Sequence, residues 1–310
     1  MKGRCYDFFV EPEPPSSGQP APPVETCYRH PSEQTRVHCT RCGRPICPEC
    51  MIPAPVGHHC PQCVTDARRE FREGPAQRVR SLGATSATRI LLIAIAVVFV
   101  IELIKGGVAG AGLAPSPRAL VDMGALVPVL VHAGQWWRLI TVMFLHASLL
   151  HIALNAWALW LFGQFVETTF GRARFLLIYF VSGFLASVTS YTFGSPCAVG
   201  VGASGAIVGL LGAFISYNFR RRHLSLNQAN LRWALMIIAL NLVIGLSFQN
   251  IDNWAHGGGL VAGVATGTFA EGVGPPEVRS WSRIAGFAAL IALGIGVAVW
   301  RTHTFTFTGC

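Results

Sequence analysis

Charged side chains are scarce in this sequence. Asp, Glu, Lys and Arg make up 13% of the 310 residues, whereas hydrophobic residues make up 52% and the mean hydropathy is +0.46. Soluble globular domains carry about 25% charged residues, so this composition excludes an ordinary soluble protein. We interpret the chain as an integral membrane protein.

Two further features are missing. No basic stripe with interleaved aromatic residues accompanies the net charge of +9, so we expect no nucleic-acid partner. No cleavable signal peptide is visible after Met1, because the polar opening segment carries six prolines. Residues 1–26 are therefore predicted to form a disordered, proline-rich tail.

Seven apolar stretches are long enough to cross a bilayer, which takes about 17 to 25 helical residues. They lie at 89–104, 145–166, 174–193, 201–218, 231–249, 253–270 and 284–300. Glu102 and Lys105 interrupt the outer end of the first stretch. These stretches predict an all-α polytopic membrane protein.

Basic residues indicate the orientation, because basic loops stay cytoplasmic. With the N-terminus inside, three short cytoplasmic connections would hold Arg172, Arg174, Arg220, Arg221, Arg222, Arg232, Arg279 and Arg283. The outer side would keep only Lys105, Arg118, Arg138 and Arg301. The sequence thus predicts a multi-pass protein of the cell membrane with a cytoplasmic N-terminus.

Residues 27–66 hold seven of the ten cysteines. Four ligand pairs occur there: Cys27 with His30, Cys39 with Cys42, Cys47 with Cys50, and Cys60 with Cys63. Eight ligands suffice for two tetrahedral zinc ions, and the segment has too few large apolar residues for a core without metal. Disulfides are the alternative, but a reducing cytoplasm argues against them.

This module resembles B-box-like and related cross-brace zinc fingers. The resemblance implies that the first and third pairs share one structural zinc and that the second and fourth pairs share the other. His58 or His59 could replace Cys60 or Cys63 in the second site. We expect a docking or regulatory role, with a cytoplasmic protein as partner, and a polar linker over 67–88.

Ser204 lies among glycines in the fourth stretch, within GVGASGAIVGLLG. Its simplest interpretation is close helix packing. However, His256 lies at a matching depth in the sixth stretch, and His151 and Asn155 share a face of the second. Polar groups in hydrocarbon need partners, so we expect a shared water-accessible cavity. Glycines on both helices would allow the close approach that an activated serine requires.

Residues from about 135 to 267 resemble the rhomboid intramembrane serine proteases. The resemblance rests on four motifs in order: Trp137-Arg138, His146-x4-His151-x3-Asn155, Gly202-Ala203-Ser204-Gly205 and Ala255-His256-x2-Gly259-x3-Gly263. It implies a six-helix core over 89–272, followed by a seventh transmembrane helix and a short tail over 273–310.

The resemblance also implies residue roles. Ser204 would be the nucleophile and His256 its base, while His151, Asn155 and the Ser204 backbone N–H would stabilise the oxyanion. Val208 departs from family members that have a tyrosine there to stack on the histidine. Activity would need no cofactor.

We therefore expect a serine endopeptidase that cleaves transmembrane segments of other membrane proteins. A catalytically inactive rhomboid-like chaperone is the first alternative, and a polytopic transporter is the second.

Overall fold

The computed structural model describes residues 24–54, 56–73, 86–107, 113–247 and 251–306. The chain forms two compact units, residues 1–78 and 79–310. Residues 1–23 of the predicted tail lie outside the described residues. Residues 74–85 of the predicted linker also lie outside them. Residues 67–73 were expected to belong to that linker, but they continue a helix, α1 (Pro61–Glu73).

The described residues of the N-terminal unit before α1, 24–54 and 56–60, contain very little regular structure. Strand β1 (Glu25–Thr26) pairs antiparallel with β2 (Gln34–Thr35), and β3 (Ile52–Pro53) pairs antiparallel with β4 (His58–His59). A single 3-10 turn spans Pro48–Cys50. The buried interior consists of Ile46 and six of the seven cysteines of this segment. An apolar core of this size cannot hold a fold by itself.

The membrane unit is helical. Its long helices are α2 (Ala87–Gly106), α6 (Leu149–Phe170), α7 (Arg172–Phe193), α8 (Ser204–Arg220), α9 (Ser225–Ser247), α10 (Asn253–Glu271) and α11 (Arg279–Thr304). Between α2 and α6 lie three short helices, α3 (Pro117–Asp122), α4 (Pro128–His132) and α5 (Arg138–Thr141), and a 3-10 turn, Val142–Phe144.

Five of these helices, α2, α6, α7, α9 and α11, are long and apolar enough to cross a membrane. Seven such helices were predicted. Within the described residues, α8 and α10 occupy the two other predicted positions but do not meet the same criterion of length and hydropathy. Helix α8 has 17 residues, and α10 carries Asn253, His256 and several glycines in place of large apolar residues.

Helices α8 and α10 pack together at backbone distance because glycines face each other across the contact. A Cβ atom added to Gly259 would overlap the Gly205 carbonyl oxygen, and one added to Gly263 would overlap the Gly209 carbonyl oxygen. Small residues permit this approach between membrane helices. The close packing predicted from the glycine spacing is therefore present.

The first membrane helix continues past Glu102, as the predicted span over 89–104 requires. Helix α2 continues to Gly106, and the Glu102 side chain is fully buried. Its carboxylate accepts a hydrogen bond from the His146 backbone N–H, at 3.1 Å for Oε1. A carboxylate with a fixed donor does not need to break the helix in order to reach water.

At the opposite end of α2, Glu167 of α6 acts as the cap. Its carboxylate accepts hydrogen bonds from the backbone N–H groups of Ala87 and Thr88 and from the hydroxyls of Ser86 and Thr88. Free N–H groups at a helix N-terminus favour a negative charge. These two carboxylates join α2 to the rest of the membrane unit at both of its ends.

Candidate active site and metal centres

Ser204 and His256 meet at the adjoining ends of α8 and α10. The Ser204 Oγ atom lies 2.9 Å from His256 Nε2. Ser204 is the first residue of α8, and His256 is the fourth residue of α10. A hydroxyl within hydrogen-bond distance of an imidazole is the basic arrangement of an activated serine nucleophile.

Helix α8 begins at Ser204 rather than at residue 201, which corrects the predicted start. Gly202 has φ of +127°, a conformation that an α-helix does not contain. The chain therefore enters α8 abruptly, and half-buried Ser204 is the first residue of the helix. The first backbone N–H groups of α8 have no carbonyl partner within the helix.

The loop between α2 and α6 supports the residues that precede Ser204. Leu126 and Gly200 exchange backbone hydrogen bonds of 2.9 and 2.8 Å, and the Gly202 N–H donates to the Val142 carbonyl at 3.0 Å. Buried Arg138 holds the loop itself, since its guanidinium donates to the Val121 and Ala125 carbonyls, each at 2.7 Å. This explains why an arginine follows Trp137 in an otherwise apolar region.

His151 is oriented by a backbone group. The Ala147 N–H donates to His151 Nδ1 at 3.3 Å, so the neutral imidazole carries its proton on Nε2. A Cβ added to Gly202 would lie 2.9 Å from that Nε2 atom and 3.7 Å from Ser204 Oγ. His151 therefore directs an N–H donor towards the turn that carries Ser204, and Gly202 leaves the space open.

Asn155 lies one turn further along α6 and is buried. Its Nδ2 atom donates to the His151 carbonyl at 2.9 Å. A side-chain amide has two N–H donors, and the described bond uses one of them. The second is not bonded within the described part of the chain.

His256 has no carboxylate within ion-pair distance among the described residues. Asp252, one turn before His256, forms hydrogen bonds with other groups. Its Oδ1 atom caps α10 by accepting the Ala255 N–H at 2.9 Å, and its Oδ2 atom accepts the Ser190 hydroxyl. The pair of Ser204 and His256 thus forms a dyad rather than a triad in this region.

A cavity of about 30 Å³ lies beside Ser204. Its lining includes Gly202, Ser204, Gly205, Met143 and Asp252. A water needs about 10–15 Å³ of such space and two or more polar partners. The cavity is therefore large enough for a water molecule next to the serine hydroxyl.

The N-terminal unit brings its ligand pairs together in two groups. Cys27, His30, Cys47 and Cys50 form one group, and Cys39, Cys42, Cys60 and Cys63 form the other. Within each group the candidate ligand atoms all lie within 4.8 Å of one another. The first pair meets the third and the second meets the fourth, as the cross-brace resemblance implied, and both groups could hold a metal ion.

The ligand atoms have the spacing that a tetrahedral metal requires. Cys42 and Cys60 have Sγ atoms 3.7 Å apart, and a tetrahedron with metal–sulfur bonds of about 2.3 Å separates its sulfurs by roughly 3.8 Å. In the other group, His30 Nδ1 lies 3.1 Å from Cys47 Sγ and 3.6 Å from Cys50 Sγ. His58 and His59 lie on β4, and Cys60 and Cys63 complete the second group instead.

Backbone amides favour the thiolate form at cysteines of both groups. Burial raises the pKa of Cys27, but hydrogen bonds from the backbone N–H groups of Cys47, Arg29 and His30 outweigh burial and lower that pKa to about 6. Burial likewise opposes ionisation at Cys39, whose pKa is lowered to about 6 by backbone N–H groups that include that of Cys60. The thiolate is the form that ligates metal.

Comparison with known proteins finds relatives of the membrane unit. Residues 133–271 match the Rhomboid domain. The chain is 37% identical over 194 residues to Rhomboid protease GluP of Bacillus subtilis (strain 168), a stretch that covers 62% of this chain and 37% of that protein. It is 40% identical over 157 residues to RHOMBOID-like protein 1 of Arabidopsis thaliana, covering 50% of this chain and 40% of that protein.

A shorter relative gives the same result. The chain is 36% identical over 130 residues to Putative rhomboid protease YdcA of Bacillus subtilis (strain 168), covering 42% of this chain and 65% of that protein. The matches to these three relatives thus span less than two thirds of their lengths. Residues 133–271 of this integral membrane protein are thus similar to the Rhomboid domain, and the Ser204–His256 pair lies within the matched residues.

Proposed function

We propose that this protein is an intramembrane serine endopeptidase. The observation that carries the proposal is the 2.9 Å contact between Ser204 Oγ and His256 Nε2 beside a cavity of water size. Two relatives, Rhomboid protease GluP and Putative rhomboid protease YdcA, are named as proteases, which supports the same activity.

Acylation would proceed through the dyad. Ser204 Oγ attacks the carbonyl carbon of the scissile peptide bond while its proton passes to His256 Nε2. The tetrahedral intermediate then collapses, the C–N bond breaks, and the amine leaves with the proton from His256. A water attacks the resulting ester, gives a proton to His256, and releases the carboxylic acid while Ser204 regains its hydrogen.

The oxyanion formed during attack would be held by three N–H donors. The Ser204 backbone N–H stands at the start of α8, His151 Nε2–H points towards the Gly202 turn, and Asn155 retains a second amide hydrogen. These donors are fixed before charge develops, which is what makes such groups effective.

The substrate would be a transmembrane segment of another protein, reached through the bilayer. We expect a segment with small or helix-breaking residues, because a carbonyl is open to attack only after its helical hydrogen bond is broken. Trp136 and Trp137, directly before α5, are exposed, and such aromatics are typical of the membrane interface.

We propose zinc as the metal of both N-terminal groups. Three cysteines with one histidine, and four cysteines, are donor sets that zinc prefers in structural sites. Four protein ligands leave no open position, so the ions would hold the fold rather than catalyse a reaction. The module would then act as a cytoplasmic docking or regulatory domain for a protein partner.

The proposed orientation places the N-terminus in the cytoplasm of a cell whose plasma membrane holds the protein. The sequence prediction assigned eight arginines to the connections on that side. Arg221 and Arg222 lie in a connection, and the other six lie in the adjoining helices, five of them within two turns of a helix end. Cys197, in the segment before α8, is disulfide-bonded, whereas the seven cysteines of the N-terminal unit are free. Disulfides persist in oxidising compartments, which supports an outward position for the segment that carries Cys197.

The activity can be tested with the purified full chain and a model transmembrane substrate in liposomes. Ser204→Ala or His256→Ala should abolish cleavage, and the double variant should be no worse than either single one because the dyad acts as a unit. A serine-directed fluorophosphonate should label Ser204 and nothing in Ser204→Ala. The matched control is Ser195→Ala, since Ser195 is exposed in the same segment before α8.

Two outcomes would decide against the proposal. Cleavage by Ser204→Ala at the wild-type rate would show that Ser204 is not the nucleophile. A folded wild-type protein that binds transmembrane segments without cleaving any would favour the inactive chaperone instead.

A further inference from the structure

A second cavity, of about 320 Å³, lies at the opposite end of the helices that carry the dyad. Its lining includes Arg174, Arg220, Arg221, Arg279, Glu271 and Tyr217. These residues come from the start of α7, the end of α8, the end of α10 and the start of α11. Small-molecule sites begin at about 300 Å³, so the cavity can accept a ligand group.

The cavity carries an excess of positive charge. Four lining guanidinium groups face one lining carboxylate, which leaves a net charge of three positive units. Glu271 forms ion pairs with two of these arginines. Its Oε2 atom lies 3.3 Å from Arg220 Nη1, and its Oε1 atom lies 2.7 Å from Arg221 Nη1. Arg221 also lies over the Tyr217 ring, 3.8 Å from its centroid.

The other two lining arginines have only backbone partners among the described residues. Arg174 Nη1 donates to the Ala270 carbonyl at 3.2 Å, and Arg279 Nε donates to the Gly274 carbonyl at 3.1 Å. Each guanidinium has five N–H donors, so most of theirs are not used by these bonds. Arg283 adds charge nearby, with Nη2 donating to the Glu271 carbonyl at 3.1 Å and a buried Nε without a partner in the described region.

The position of the cavity indicates its ligand. Helix α8 runs from Ser204 to Arg220, so the arginines lie about 24 Å from the dyad along a 1.5 Å rise per residue. The hydrocarbon core of a bilayer is about 30 Å thick, so the arginines lie near the interface opposite the one closest to the dyad. Planar guanidinium groups at headgroup depth match the bidentate geometry of a phosphate.

We propose that this arginine cavity binds the phosphate of an anionic phospholipid headgroup. The lipid would bridge the ends of α7, α8, α10 and α11, two of which carry Ser204 and His256 at their other ends. Basic pockets between membrane helices are known to select anionic headgroups. The site does not depend on the proposed protease activity, and its test uses binding alone.

The test uses the purified full chain in a neutral detergent. Phosphatidylglycerol is titrated against phosphatidylcholine, with binding followed by native mass spectrometry and by the apparent Tm. Phosphatidylglycerol should bind in preference and raise the Tm, because a ligand of the folded state stabilises it. Arg174→Gln combined with Arg279→Gln should weaken that binding by about a hundredfold or more, since the loss of each charge-assisted hydrogen bond lowers affinity roughly tenfold to hundredfold.

The matched control is Arg222→Gln. Arg222 lies beside Arg221 but does not line the cavity; its Nη1 donates to the Phe219 carbonyl. The control removes the same charge at the same end of α8 and should bind phosphatidylglycerol like the wild type. Should the double variant fail to fold, the single variant of exposed Arg279 replaces it.

Three results would overturn the proposal: equal binding of the two lipids by the wild type, full phosphatidylglycerol affinity in the cavity variants, or an equal loss in Arg222→Gln. Inorganic phosphate is titrated in parallel. If it binds as tightly as the lipid and competes with it, the site recognises free phosphate rather than a headgroup, and the lipid assignment is wrong.

Discussion

The polar side chains around Ser204 are positioned mainly by backbone groups. The Ala147 N–H holds His151 Nδ1, the His151 carbonyl holds the Asn155 amide, and the Val142 carbonyl holds the Gly202 N–H. Backbone partners belong to rigid helix ends and turns, so each side chain keeps one orientation without depending on the others. This arrangement suits groups that must be aligned before charge develops.

At this scale, Asn155→Ala is expected to lower kcat/KM by about 10²–10³, the typical effect of losing one oxyanion donor. The loss should be smaller than that in His256→Ala, because His151 and the Ser204 N–H remain. Cleavage rates on a model transmembrane substrate provide the measurement.

Asn241→Ala is the matched control for that variant. Asn241 Nδ2 donates to the Ile237 carbonyl on α9 at 2.9 Å, the same kind of bond that Asn155 makes on α6. The control should keep the wild-type rate. Equal losses in the two variants would indicate that helix stability, rather than the oxyanion, explains the role of Asn155.

At the scale of helices, the contact between α8 and α10 determines whether the dyad can form. Gly205 and Gly259 touch at the level of the site, and Gly212 packs deeper, where an added Cβ would overlap the Leu260 carbonyl. Since these neighbours are backbone atoms, they cannot rotate away. A side chain at any of these positions must separate the two helices.

Gly259→Ala should therefore destabilise the protein by about 1–3 kcal/mol, the usual cost of overpacking. Gly257→Ala is the control on the same helix, because a Cβ there meets nothing within 4 Å. It should be neutral or stabilise by up to about 1 kcal/mol through helix propensity. Thermal unfolding in detergent distinguishes them, and equal Tm values would contradict the packing argument.

At the scale of the whole molecule, the two compact units are expected to work separately. A fragment over residues 20–70 should bind about two zinc ions and unfold when a chelator removes them, because metal binding supplies its folding energy. Metal analysis and circular dichroism give the measurement. A fragment without zinc would contradict the ligand assignment.

A protein that starts near residue 80 should keep its activity on a model substrate. The metal groups lie entirely within the N-terminal unit, and the Ser204 site lies within the other. Full-length and truncated proteins are compared at matched folded concentration. Complete loss of cleavage in a well-folded truncated protein would show that the N-terminal unit is coupled to catalysis.

Topology is the remaining prediction for the whole molecule. A reporter fused after Arg222 should be cytoplasmic, and one inserted near Ser116 should face outward, because basic connections stay inside. Accessibility labelling in intact cells measures both. Reversal at both positions would place the dyad in the opposite leaflet.

The sequence by itself determined the membrane character, the long helices and the cysteine pairs, because composition and local spacing decide these features. Glycine spacing likewise predicted the close approach of α8 and α10. Some features depended on contacts between distant segments. The sequence showed Glu102 only as a charge within an apolar stretch, for example, because its partner, the His146 N–H, lies 44 residues away.

Tertiary structure alone decided the start of α8, the tautomer of His151 and the arginine cavity. Gly202 adopts positive φ where Val142 binds its N–H, and Ala147 selects the ring nitrogen that faces the serine. The arginines looked only like a topology signal in the sequence, since they are spread from residue 174 to 279. Four helix ends had to converge before these charges shared one cavity, and that convergence depends on packing rather than on local pattern.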